Sequence, residues 1–411
     1  MSLATASSQS RNPLQSLAVV EQPSIHTANH RVSAMSHFDL SFHLYNGHER
    51  IKLSLEPNHD IIPEGATVTY LKPDGTVART EPIQRMDHKV FKGIARLEQD
   101  GYSIDVGWAR ITIIRDGIHP LFEGAFSVNH DNHHVQLRSS YMQTKHPLDP
   151  EADAGDDDYM VLFRDSDISP DQFHVQQKRN AESELLCYSD DLNFNSLLPD
   201  RPAYTDILKR ADSHWGAMPI MSLFGKRQID TQPTSGNGGG VNLASTIGQT
   251  SGCPNSRKVA LVGIATDCTY TGSFNSTEST RTNVITQVNS ASSVWENAFN
   301  ISLGLQNLTV SDPNCPGSQQ AATPWNQNCP SGLTITDRLN LFSGWRGNLG
   351  DDNSHWTLLT NCPTGPAVGL AWLGQACVHT AFTTNTTGGG SETVSGANVV
   401  ARTSTEWQVI A

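Results

Sequence analysis

Residues 258–265, Lys-Val-Ala-Leu-Val-Gly-Ile-Ala, form an almost unbroken apolar run. A run of this kind offers no polar face to water, so it reads as a strand covered on both sides, which requires a sheet with helices layered on it. The segments that follow supply those layers. Val284, Val288, Ala291, Trp295 and Ala298 recur at helical spacing behind Asn275-x-x-Glu278, a capping-box spacing. Residues 301–310 return to strand, and Ile335, Leu339 and Phe342, leading to Trp345, mark a second helix. Strands at 356–359, 368–373 and 397–401 follow. A last helix then opens at Thr403 or Ser404, with Thr403-x-x-Glu406 again at capping-box spacing. The order β-α-β-α-β-β-β-α predicts a mixed, twisted, five-stranded sheet carrying helices.

The first part of the chain obeys a different period. Residues 38–44 and 51–55 alternate around Asn46-Gly47, a hairpin dipeptide, and residues 68–72 end in the turn Pro73-Asp-Gly75. Residues 102–106 and 108–114 continue the series. The chain therefore reads as α+β. Residues 1–30 are a disordered arm, 31–140 a β-rich domain, 141–252 a long polar connector, and 253–411 the layered domain. The connector holds the dibasic pairs Lys178-Arg179, Lys209-Arg210 and Lys226-Arg227 and a glycine-rich stretch at 235–240. Connections of this length are functional or cleavable, and Lys226-Arg227 is the favoured processing site. The acidic run at 151–158 reads as solvated linker.

Charge narrows the partners. Twenty-eight Lys and Arg against 41 Asp and Glu give a net charge of −13, which argues against nucleic acid or an anionic membrane. No apolar run approaches 18 residues, and residues 16–20 are too short and too polar in their flanks for a signal peptide. Six of the seven cysteines nevertheless crowd into residues 253–377, and four N-x-S/T sequons, at Asn275, Asn300, Asn307 and Asn385, fall in the same half. Together they favour an oxidising, secretory or extracellular compartment. Local pairing Cys253–Cys268, Cys315–Cys329 and Cys362–Cys377 is the simplest of the 15 ways to join six cysteines, and the others stay open. His130, His133 and His134 sit in a turn-like sequence and read as a solvated hairpin tip; His26 and His30 lie in the disordered arm. No phosphate-binding loop or nucleophile elbow is present.

Residues 257–268, 342–346, 368–377 and 405–411, in that order and spacing, resemble the adamalysin or ADAM zinc endopeptidases, the reprolysin-type members of peptidase family M12B, and their fungal branch above all. The β-rich domain and connector resemble that family's propeptide. The resemblance implies zinc, held by H-E-x-x-H-x-x-G-x-x-H with its Glu as general base on the metal-bound water, and protein or peptide substrates. In the family that motif follows the segment matching residues 407–411. It does not occur here: His48-Glu49 is followed three residues on by Lys52. The last residues, Val409-Ile-Ala411, carry no helix-ending signal, so the layered domain is expected to be incomplete at its C-terminus and the start of the chain incomplete as well. The 411 residues are expected to be inactive by themselves, with no catalytic residue and no complete metal site.

The resemblance further implies that Cys187, the odd cysteine, is a cysteine switch: an inhibitory zinc ligand that keeps a zymogen latent. It assigns residues 368–371, Val368, Gly369, Leu370 and Ala371, to the edge strand that pairs with extended substrate, the small Gly and Ala admitting it closely. It also leaves open a bond from the cysteine matching Cys377 to one beyond the zinc helix, which would leave Cys362 and Cys377 unpaired in these residues. Two non-enzymatic alternatives remain: a propeptide-containing fragment that binds or inhibits a related protease, and a secreted glycoprotein interaction module.

Overall fold

The computed structural model describes residues 12–99, 102–155, 157–169, 189, 192–196, 256–364, 367–386 and 389–411. In chain order come strands β1 (Ala18–Val19), β2 (Glu21–His26), β3 (Phe38–Leu44), β4 (Glu49–Pro57), β5 (Thr67–Leu71), β6 (Val77–Pro82), β7 (Val90–Gln99), β8 (Tyr102–Arg115), β9 (Leu121–Val128) and β10 (Asp131–Leu137). Helix α1 (Arg138–Thr144), β11 (Met160–Arg164) and the short helix α2 (Asn193–Ser196) follow. The second half holds β12 (Lys258–Thr266), α3 (Cys268–Thr271), α4 (Thr277–Phe299), β13 (Ile301–Val310), α5 (Ile335–Arg346) and β14 (His355–Thr360). It ends with β15 (Gly369–Ala371), β16 (Phe382–Asn385), β17 (Ser391–Val394), β18 (Ala397–Ala401) and α6 (Glu406–Ile410). The α+β class is as expected.

Nine strands form an antiparallel sheet in the order β1-β11-β10-β9-β8-β7-β4-β3-β2. Its two edge strands, β1 and β2, are consecutive in the chain and one residue apart. The stretch 18–26 therefore bridges both edges and closes the sheet into a barrel, which removes unpaired edges. Ile25, Leu40, Phe42, Leu53, Phe91, Ile111, Phe122 and Phe126 fill it. This corrects two expectations. Within the arm at 1–30, residues 18–26 are strand, and the connector from 141 contributes β11 to the same sheet. Both segments are short, and Gln22 at φ 48° interrupts the alternation that would have revealed the first.

The second sheet has seven strands, β15-β18-β14-β12-β13-β5-β6. Five of them are the expected set, with β15 antiparallel at the edge. The other two are hairpin β5–β6 from the first half of the chain, whose β5 runs parallel to β13 from Thr67 opposite Asn307 to Tyr70 opposite Val310. Gly263 marks a shift of register in β12, and a Cβ there would lie about 2.2 Å from the Trp356 ring.

Helix α4 is covered by both sheets, which explains its mixed composition. Val284, Ile285, Val288 and Ala291 pack in one cluster with Val262, Leu303 and Leu305 of the second sheet and Val68, Tyr70 and Val90 from the first half. Its small polar residues meet the barrel. Thr286 Oγ1 donates to Thr112 Oγ1 at 2.9 Å, and Asn289 donates to Phe91 O at 3.1 Å and accepts from Asn58 at 2.7 Å. Glu296 accepts from Arg110 at 2.7 Å and also pairs with Arg257. A fully buried aliphatic side chain contributes about 1.5–3 kcal/mol, whereas a neutral hydrogen bond nets about 1 kcal/mol. The shared apolar cluster thus holds the two sheets together, and the polar contacts fix their register. The α4 cap also differs from expectation: Ser276 accepts from Ser279 N, so Asn275 lies one residue outside the helix.

The cysteines pair by sheet neighbourhood and not by proximity in sequence. Cys268 follows β12 and bonds Cys315, which follows β13; Cys329, before α5, bonds Cys362, which follows β14. Because β12, β13 and β14 are parallel neighbours, their C-terminal ends converge. The expected bonds Cys253–Cys268, Cys315–Cys329 and Cys362–Cys377 are thereby excluded for every described cysteine, and so is an unpaired Cys362. Cys377 is an exposed free thiol. Cys253 lies outside the described residues.

Candidate functional site

The edge strand β15 ends the seven-stranded sheet, so one side of it has no strand neighbour. A bare edge presents unpaired N–H and C=O groups, a template for an extended chain. Here that side is taken by Ser189 and residues 192–195. Asn195, fully buried, donates through Nδ2 to Ala371 O at 3.0 Å and accepts through Oδ1 from Leu373 N at 3.0 Å. Its Nδ2 also donates to Ser189 O at 2.6 Å, and Ser189 Oγ accepts from Ala371 N at 3.4 Å. One side-chain amide thus does for the edge what a paired peptide would do.

Beside it, Phe194 enters a slot between Trp372, at 6.0 Å between ring centroids, and Phe382 of β16, at 5.8 Å. Glu392 on β17 is 5% exposed and accepts two consecutive main-chain N–H groups, from Asn193 at 2.8 Å and Phe194 at 2.6 Å. The β16–β17 hairpin therefore forms the second wall of a groove whose first wall is β15. Sequence reading pointed to the stretch ending at Asn195 only through Cys187, and gave no signal for Glu392, which sits alone among Ser, Thr and Gly.

Gly369 meets a neighbour from the end of the chain. A Cβ there would lie 2.7 Å from Val409 Cγ1, so its smallness admits helix α6. Helix α6 is held against the barrel. Trp407 Nε1 donates to His134 Nδ1 at 3.0 Å, Gln408 to Asp165 at 3.0 Å, and His134 Nε2 meets Asp165 at 2.7 Å. His133 and His134, read as a solvated tip, are both buried, because β10 lies inside the sheet between β9 and β11. His26 bonds Ser41 Oγ and His30 the carbonyl of Ile25, so neither belongs to a disordered arm.

Glu406 does not form the expected capping box with Thr403. Its carboxyl turns inward, accepts from Tyr270 Oη at 2.6 Å, and is 2% exposed. Burial pushes it up to about 7, against the opposing pull of the Tyr270 hydrogen bond and Arg402. It faces a cavity of about 30 Å³ that also touches Gln136, Asn283 and Arg402, room for a water molecule.

Among the described residues no group of three or more His, Cys, Asp or Glu side chains could hold a metal ion. Cys187, Lys226 and Arg227 lie outside the described residues. Of the four sequons, Asn275 and Asn385 are exposed and Asn300 is half-buried at the C-cap of α4. Asn307 is half-buried within β13, donating to Thr67 Oγ1 at 3.0 Å and accepting from Asn353 at 2.8 Å. No described helix is long and apolar enough to cross a membrane.

Residues 255–411 match the family model described as Metallo-peptidase family M12. The chain is 49% identical over 415 residues to disintegrin and metalloproteinase domain-containing protein B of Aspergillus fumigatus, covering 99% of this chain and 52% of that protein. It is 45% identical over 417 residues to the protein of the same name from Arthroderma benhamiae, covering 99% and 51%. The chain thus spans about half the length of the curated relatives it matches. A solved metalloproteinase-II from Bacteroides fragilis aligns at 12% identity with a TM-score of 0.27, covering 92% of this chain and 79% of that one, too loose a match to bear on the fold.

Proposed function

The chain belongs to the ADAM-type metalloproteinases of peptidase family M12, and from that premise we propose that it is the propeptide and first catalytic portion of a zinc metalloendopeptidase, held in a latent arrangement. The observation that carries this reading is Ser189 and Asn195 at the outer edge of β15, with Asn195 satisfying Ala371 O and Leu373 N. An edge strand that would pair with a protein substrate is filled by the chain's own pro-segment.

Zinc enters as the family's metal, supplying Lewis acidity and an activated water. The described residues do not fit it, since they offer no three-ligand set and the sequence contains no His-Glu-x-x-His. What these residues do is bind and shield: β15 and the β16–β17 hairpin form the groove, and the barrel braces the helix that ends it. Cys187, eight residues before Asn195, is the candidate inhibitory ligand, and Lys226-Arg227 the candidate processing site for a dibasic-specific protease. The two disulfides support a secretory or extracellular location.

The same docked segment supports a second reading, in which the chain inhibits an active relative in trans. Purified chain is incubated with quenched fluorescent peptides, with and without zinc, and separately with an active fungal relative. No turnover is expected under either condition. Chelator-sensitive turnover by the 411 residues alone would overturn the latent reading, and a relative unaffected by excess chain would remove the inhibitor reading.

A further inference from the structure

We propose that the groove between β15 and the β16–β17 hairpin is a peptide subsite selective for an aromatic side chain, with Glu392 anchoring two successive main-chain N–H groups of the bound peptide. The inference rests on reading β15 as the substrate edge, and it deepens that reading by naming what the edge selects. The occupant is a protein substrate in place of residues 192–195.

Three independent features of the groove define the occupant. Trp372 and Phe382 stand on either side of Phe194 at near-perpendicular and tilted angles of 87° and 66°, a slot shaped for a flat ring. Glu392 presents both carboxylate oxygens to consecutive N–H groups, each within 2.8 Å. With the segment docked this carboxylate is 5% exposed, and the two N–H groups offset the water its oxygens lose, so an occupant that covers Glu392 has to bring a matching pair of donors. Ala371 O and Leu373 N present one acceptor and one donor two residues apart, matched by a side-chain amide such as Asn195. The occupant is therefore a peptide with an aromatic residue followed by Asn or Gln, bound with two successive N–H groups toward Glu392. Among the described residues no basic side chain pairs with Glu392, so the anchor is free to read main chain.

The test uses the full chain and needs no catalysis. Residues 192–195 are replaced by Gly and Ser to empty the groove, and a fluorescein-labelled peptide Ser-Asp-Asp-Leu-Asn-Phe-Asn-Ser, the sequence of residues 189–196, is titrated by anisotropy. Binding is expected to the emptied chain and not to the parent, whose groove is filled. Replacing the peptide's Phe by Ala is expected to weaken binding about tenfold or more. Glu392→Gln in the emptied chain is expected to do the same, because the amide NH₂ then faces a donor. Should that variant misfold, Phe382→Ala on the half-buried hairpin tests the same slot. Equal binding to parent and emptied chains, or indifference to the peptide's Phe, would overturn the proposal. Because the readout is binding, its failure leaves the protease reading untouched, and the absence of proteolysis leaves the subsite untouched.

Discussion

Replacing Glu406 by Gln isolates the effect of one buried proton. The carboxyl sits at 2% exposure under Tyr270, itself buried and receiving a bond from Asn283 at 2.8 Å. An unfolded glutamate ionises near 4.5, whereas this one holds its proton until about 7. Between those values the folded chain binds more protons than the unfolded chain, so stability falls as pH rises through the window and is flat above it. The gap corresponds to about 3 kcal/mol. Gln keeps an oxygen for Tyr270 to donate to and removes the ionisation. The variant is therefore expected to match the parent at pH 4 and to exceed it by up to about 3 kcal/mol at pH 8. Urea unfolding at pH 4, 6 and 8, followed by tryptophan fluorescence, gives the difference directly, since other titrating groups cancel between the two proteins. A difference that does not vary with pH would refute the reasoning.

His88 should show the opposite slope: burial, then Arg281, hold it down at about 4, so the parent loses up to about 3 kcal/mol as pH falls from 6.5 to 4, a loss His88→Gln should abolish in the same assay. Glu296→Ala leaves Arg110 buried without its partner and should cost about 3–5 kcal/mol, whereas Arg110→Met with Glu296→Leu should recover most of it; equal losses would contradict the ion-pair argument. Peptide mapping without reduction should recover the linked pairs Cys268–Cys315 and Cys329–Cys362, and removing the first, with its 47-residue separation, should lower stability by about 4 kcal/mol in chemical unfolding.

The apolar run at 258–265, the helix carrying Val284 and Val288, and the Asn46-Gly47 turn were legible because each is settled by its neighbours in sequence. The glycine is used at φ 80° in that turn, as its place in the dipeptide implies. What escaped depends on partners far along the chain. Nothing local in residues 67–82 says that this hairpin leaves its own domain to pair with β13, 240 positions away at Thr67 and Asn307. The cysteine pairs followed strand neighbours for the same reason. His134 looked like a loop residue because polar neighbours in sequence hid apolar neighbours in space, Phe163 and Trp407. At the groove, the Val368–Ala371 edge was readable from resemblance, but Glu392 and Asn195 act only through each other's elements.

The hairpin β5–β6 makes the second sheet depend on both halves of the chain. The M12 match begins at residue 255, yet the sheet it describes draws two of its seven strands from residues 67–82. A gene segment copied from 255 onward would inherit the family signature and leave Leu308 and Val310 on an open parallel edge. A segment that is to keep all seven strands of this sheet therefore has to include residues 67–82 as well as those from 255 onward, whatever the length of sequence between them.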